Sequence, residues 1–130
     1  MTQRTFQWAL LLSGMMMVMH SPAFSQSANA ADKILGEWIN ETHDRKIEFY
    51  RAAGTYEARL SWLKNADGKA RTGQVVIRGL TYNEGRYEKG RLYMPARDAW
   101  YNCSAVLKDE HTLAITGSAG LFSKTKTWTR

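Results

Sequence analysis

The sequence predicts an all-β fold, a small antiparallel barrel of about eight strands. Three observations carry that reading. Short segments with period-two alternation recur along the chain, separated by turn residues. No stretch between them has the length and spacing of a crossover helix. Two tryptophan motifs, Gly36-Glu37-Trp38 and Thr127-Trp128-Thr129-Arg130, bracket the segments, so a first and a last strand stand ready to meet.

The first thirty residues have a different character. Met1-Thr2-Gln3-Arg4 is a basic start, and Phe6 to Met19 is apolar apart from Gln7, Ser13 and Gly14. Small and polar residues follow around Pro22. Basic start, apolar middle and small-residue end form a secretory signal peptide. The apolar run is shorter than the roughly 20 residues a spanning helix needs. Ala28-Asn29-Ala30 places small residues where a signal peptidase reads, and Ala23-Phe24-Ser25 is a second possible site. The expected organisation is a signal peptide over 1–30 and one domain over 31–130, in the periplasm or secreted, with no transmembrane segment after cleavage.

Asp32 to Leu35 reads as one helical turn with Asp32 as its cap. The strands then follow in order. Gly36 to Asn40 is the first, and Arg45 to Arg51 the second, with Ile47 and Phe49 on one face. Thr55 to Lys64 is the clearest, because Tyr56, Ala58, Leu60 and Trp62 alternate with Glu57, Arg59, Ser61 and Leu63. Asp67-Gly68 supplies residue types that tolerate a positive φ at the next turn. Gly73 to Tyr82 and Arg86 to Met94 alternate less cleanly, and Gly79 and Gly90 mark bends or bulges that let a sheet curl. Trp100 to Leu107, Thr112 to Gly117 and Ser123 to Arg130 complete the set. Eight short strands without a crossover helix favour an up-and-down barrel or a strongly curled sheet.

Composition narrows the function classes. The formal net charge is +6, and Arg4 is the only charged residue of the leader, so the domain carries +5. Its arginines are scattered, which suits a solvated surface better than a nucleic-acid footprint. Cys103 is the only cysteine, so no internal disulfide forms and packing alone holds the domain. It sits between Tyr101 and Ala105 on one strand face, as a buried apolar thiol would. His43 and His111 lie on separate turns without the spacing of a metal site. No nucleophile elbow and no phosphate-binding glycine loop occurs. No catalytic residue, metal ligand or cofactor is expected, and the domain is read as a monomer without enzymatic activity.

Ile34-Leu35-Gly36-Glu37-Trp38, Ile47-Glu48-Phe49-Tyr50, Arg59 to Lys64, Gly90-Arg91-Leu92-Tyr93 and the closing Thr127-Trp128-Thr129-Arg130 occur in that order. Together they resemble the exported bacterial family known as domain of unknown function 2147. The likeness covers nearly all of the mature chain. It departs after Leu63, where a longer Pro- and Asp-rich segment of the family is cut to Asn65 to Arg71. The resemblance implies a lipocalin-like barrel in the bacterial envelope, and it brings no catalytic residues. In such barrels an arginine of the last strand lies across the tryptophan of a Gly-x-Trp. Gly36, Trp38, Trp128 and Arg130 are thus the expected closure.

Binding remains as the function. A small apolar or amphipathic ligand, such as a fatty acid or lipid fragment, would lie against Phe49, Tyr56, Leu60, Trp62, Tyr101 and Cys103. The same side chains would otherwise simply fill an eight-stranded barrel. The alternatives are a protein-interaction module of the periplasm, such as an inhibitor of a secreted enzyme, and a structural or stress role in the envelope.

Overall fold

The computed structural model describes residues 30–66 and 68–130. All but the last residue of the expected signal peptide lies outside them. A 3₁₀ turn, η1 (Asp32–Ile34), leads into eight strands: β1 (Gly36–Asn40), β2 (Arg45–Ala52), β3 (Thr55–Leu63), β4 (Val75–Asn83), β5 (Arg86–Met94), β6 (Ala99–Asp109), β7 (Thr112–Ala119) and β8 (Phe122–Thr129). Each strand pairs antiparallel with the next, and β8 returns to β1 to close the barrel. The strand bounds agree with the sequence expectation to within a few residues, because alternation and turn chemistry are local signals.

Closure is narrow. β1 meets β8 only through Ile39 opposite Thr129 and Asn40 opposite Trp128. Asn40 also builds the following turn, since its side-chain oxygen accepts from the backbone N–H groups of Asp44 and Arg45 at 3.0 and 3.2 Å.

The inner faces supply one core. Trp38, Ile47, Phe49, Leu60, Tyr87 and Leu113 are almost wholly buried, with Ala58, Cys103 and Ala105 among the small residues between them. Curvature comes from bulges. The β3–β4 register slips between Tyr56 and Ala58, beside Gly79 at φ +75°. The β5–β6 register slips between Tyr87 and Gly90, but there Lys89 carries the positive φ of 61°. Gly90 serves packing instead: a Cβ on it would come within 2.5 Å of a Leu80 methyl. The sequence reading of both glycines as bend markers thus combines two different causes.

A third bulge corrects an expectation. Ile47 pairs with Leu60 and Lys46 with Trp62, so Ser61 is the extra residue on β3. One inserted residue reverses the face of everything beyond it. Trp62 therefore leaves the face of Tyr56, Ala58 and Leu60 and lies outside, 39% exposed, with the Lys46 ammonium 5.6 Å from its ring. Trp100 also faces outward, under the Arg78 guanidinium at 4.2 Å. Of the four tryptophans in the domain, only Trp38 and Trp128 are buried.

Candidate functional site

The two ends of the barrel differ, and the difference defines the site. Odd-numbered strands start at the end that holds η1, and even-numbered strands finish there. At that end η1 forms a plug. Ile34 is fully buried under the barrel wall, and its carbonyl accepts a 2.8 Å hydrogen bond from Trp38 Nε1. The buried Tyr87 hydroxyl donates to the carbonyl of Ala31. Arg130 seals the seam: its guanidinium lies 4.1 Å from the centre of the Trp38 ring. It also donates to the carbonyls of Leu35 (2.9 Å), Lys33 (2.7 Å) and Glu110 (2.9 Å). Gly36, at φ +108°, leaves room there, since a Cβ would stand 3.9 Å from an Arg130 nitrogen.

Asp32 is not the cap of η1. Ala31 occupies the N-cap position without a side-chain bond. The Asp32 carboxylate instead accepts from Arg51 Nε at 2.9 Å, in an ion pair, and from the Tyr56 hydroxyl at 2.7 Å. A local rule assigned a local role, whereas the curled barrel brought β2 and β3 within reach. The Arg51 hydrogen bond, followed by that of Tyr56, holds the carboxyl below its ordinary 3.8. Burial, followed by the neighbouring Asp32, pushes Tyr56 up to about 12. Burial raises Tyr87 as well.

A carboxyl held low in the folded state contributes stability in full above its unfolded value, and loses it as pH falls through the folded value. Melts taken downward from about pH 6 to about pH 3 should therefore lose stability more steeply in the native chain than in Asp32→Asn. Equal slopes would remove Asp32 from the acid limb. On the alkaline side the sign reverses for Tyr56. Its contribution is full below 10 and is lost as pH rises towards about 12.

The residues expected to line a pocket fall into three groups. Phe49, Tyr56, Leu60 and Cys103 are buried in the core, between 2% and 8% exposed. Trp62 is outside. Tyr101 is half-buried, two residues beyond Cys103 on the same face and opposite Leu92. It stands at the end away from the plug, where Leu63, Leu92 and Ala70 pack on the core without being covered. Leu63 and Leu92 were not among the expected lining residues. The period-two pattern of β5 held the signal for Leu92, but the bulge at Ser61 hid that for Leu63.

Two depressions lie elsewhere on the surface. One of about 210 Å3 runs along β5 and β6 past Lys89, Arg91, Asn102 and Ser104, and of the expected lining residues Cys103 alone borders it. The other, about 390 Å3, lies outside the seam between Lys33, Leu107, His111 and Arg130. Cys103 is 4% exposed, and burial pushes its thiol up to about 12, so it is uncharged at neutral pH and a weak nucleophile.

The family model described as "Uncharacterized protein conserved in bacteria (DUF2147)" matches residues 36–130. The chain belongs to this family. Its match begins at the glycine of β1 and ends at Arg130, so the DUF2147 region coincides with the barrel wall and its seam. A solved structure described as protein HP1028 from the human pathogen Helicobacter pylori, which belongs to the lipocalin family, is similar in fold. It is 18% identical, with a TM-score of 0.59, over 75% of this chain and 82% of that one. No curated protein matches this DUF2147 chain significantly in sequence.

Proposed function

We propose that this barrel is an exported protein of the bacterial envelope, periplasmic or secreted. In this reading it binds a small apolar or amphipathic molecule, such as a fatty acid or lipid fragment, at the end away from η1. The observation that carries the reading is the asymmetry of the two ends. One is filled by η1 and crossed by Arg130, with Leu35, Tyr82 and Leu107 partly covered around it; at the other no such segment lies over Tyr101, Leu92 and Leu63, which are also partly covered. The floor beneath them is apolar. Among the described residues no charged side chain is buried, the buried Tyr56 and Tyr87 bond through their hydroxyls at the plug, and no buried side-chain polar atom lacks a partner. A hydrocarbon chain matches such a floor, because it brings no polar group to desolvate. The lipocalin-like fold is compatible with the same role. Cys103, buried and neutral, supports binding rather than covalent chemistry.

The test uses the protein purified from the periplasm. Native mass spectrometry is expected to show a lipid-sized adduct that organic extraction removes. Fatty acid titrated into the stripped protein should then change its tryptophan fluorescence. Tyr101→Asp should weaken that response by about tenfold or more, since it places a charge against the chain. A bare protein whose fluorescence ignores fatty acids would end the proposal. Capture of one stoichiometric protein partner instead would favour an interaction role.

A further inference from the structure

We propose that the open rim of the barrel docks on an anionic lipid surface, with the β7–β8 hairpin and Trp62 as its apolar contacts. This goes beyond ligand binding and does not depend on it. Among the described residues, three large hydrophobic side chains are exposed: Trp62, Leu121 and Phe122, the last two at 101% and 84%. All three lie at one end. Trp62 is near the finish of β3, and Leu121 and Phe122 stand where β7 turns into β8, so all are opposite the plug.

The hairpin projects. β7 and β8 stay paired without a slip up to Ala119 opposite Phe122, and Gly120 at φ +59° makes the tight turn. Every residue from Phe122 to Lys126 is exposed, on both faces of the strand. β1 ends before it can cover this part of β8. The two residues at the tip are therefore held clear of the body by a regular ladder, where a turn would ordinarily carry polar residues. Exposed apolar residues are ordinary when scattered, but a contiguous pair on a projection marks a contact surface.

Charge identifies the partner. From His111 to Arg130 the chain holds no Asp or Glu, and Lys124 and Lys126 follow the tip directly. On the other side of the rim Lys46 stands over Trp62, and the exposed Lys64 follows two residues later. Each apolar contact thus has its own pair of lysines, against one carboxylate residue near each, Glu41 against β8 and Asp44 beside Lys64. β8 and β3 are three strands apart, about 14 Å along the wall at roughly 4.8 Å per strand. Two such contacts on different parts of one rim suit a broad surface better than a single peptide. Apolar tips beside cations match the boundary between acyl chains and anionic headgroups. A second copy paired on the free edge of β8 would set lysines against lysines, which like charge disfavours.

Co-sedimentation of the exported chain with vesicles decides the matter. Retention is expected on phosphatidylcholine mixed with phosphatidylglycerol, but not on phosphatidylcholine alone, and it should fall with added salt. The double variant Leu121→Ser, Phe122→Ser should bind about tenfold more weakly or worse. Lys124→Glu with Lys126→Glu should also lose binding. Both pairs are exposed, so unchanged melting would establish that the fold is intact. Equal behaviour of the native chain on the two vesicle types would overturn the proposal, as would variants that bind like it. A hairpin-dependent dimer in sedimentation, without vesicle binding, would assign the rim to a second copy. The fluorescence response to fatty acid in solution should survive in the hairpin variants, so this docking and the ligand site can fail separately.

Discussion

Replacing Trp38 by alanine is expected to cost the domain about 3–5 kcal/mol, within the range for removing a buried tryptophan. The ring is 1% exposed, and two separate contacts meet on it. Its edge donates to the Ile34 carbonyl and so holds the plug, while Arg130 lies on its face. Its strand is also the one that closes the barrel on β8. A domain of this size has about 5–15 kcal/mol in total, so much of the available stability rests there. Thermal melts should fall by at least about 12 °C, and many molecules would be unfolded at growth temperature. Trp38→Phe separates the causes, because it keeps most of the volume and loses the Nε1–H donor. Its melt should lie between native and alanine. If Trp38→Ala melts like the native chain, η1 is held by its other bonds and the plug is misattributed.

Arg130→Ala should cost about 1–3 kcal/mol, from an exposed cation–π contact together with charge-assisted hydrogen bonds. The guanidinium joins Lys33, Leu35 and Glu110 through their carbonyls, and so ties the start of the domain to its final residue. Lysine is a poor replacement, since its ammonium is compact and cannot present a planar fork to three acceptors while stacked on a ring. Arg130→Lys should therefore recover little of the loss. A double-mutant cycle with Trp38→Ala should return a coupling of about 0.5–2 kcal/mol. Additive losses would mean that the stack has no energetic content, and that the carbonyl contacts alone account for Arg130.

The strands were legible because their causes are local. In β3 the alternation of Tyr56, Ala58 and Leu60 with charged partners follows from a pleat that turns each side chain to the opposite face. Glu48 opposite Arg59 is the cross-strand ion pair such a pattern implies, at 2.6 Å. The candidate site was less legible. Trp62 continues the alternation in sequence, but Ser61 bulges out of the ladder and reverses its face. Asp32 has the residue type and position of a cap, yet Arg51 and Tyr56 take its carboxylate. Both misreadings have one origin: sequence spacing does not record which strand is bulged or what the curled sheet brings near.

Residue order alone therefore determined the eight strands, their turns, the buried faces up to the Ser61 bulge and the family, because propensity and period-two burial act over a few neighbouring residues. The tertiary structure decided which end of the barrel is plugged and where Trp62 points. It also decided that Leu121 and Phe122 stand clear of the wall. Those features depend on the register of strands far apart in the chain, which is set only when β8 meets β1 and Arg130 settles on Trp38.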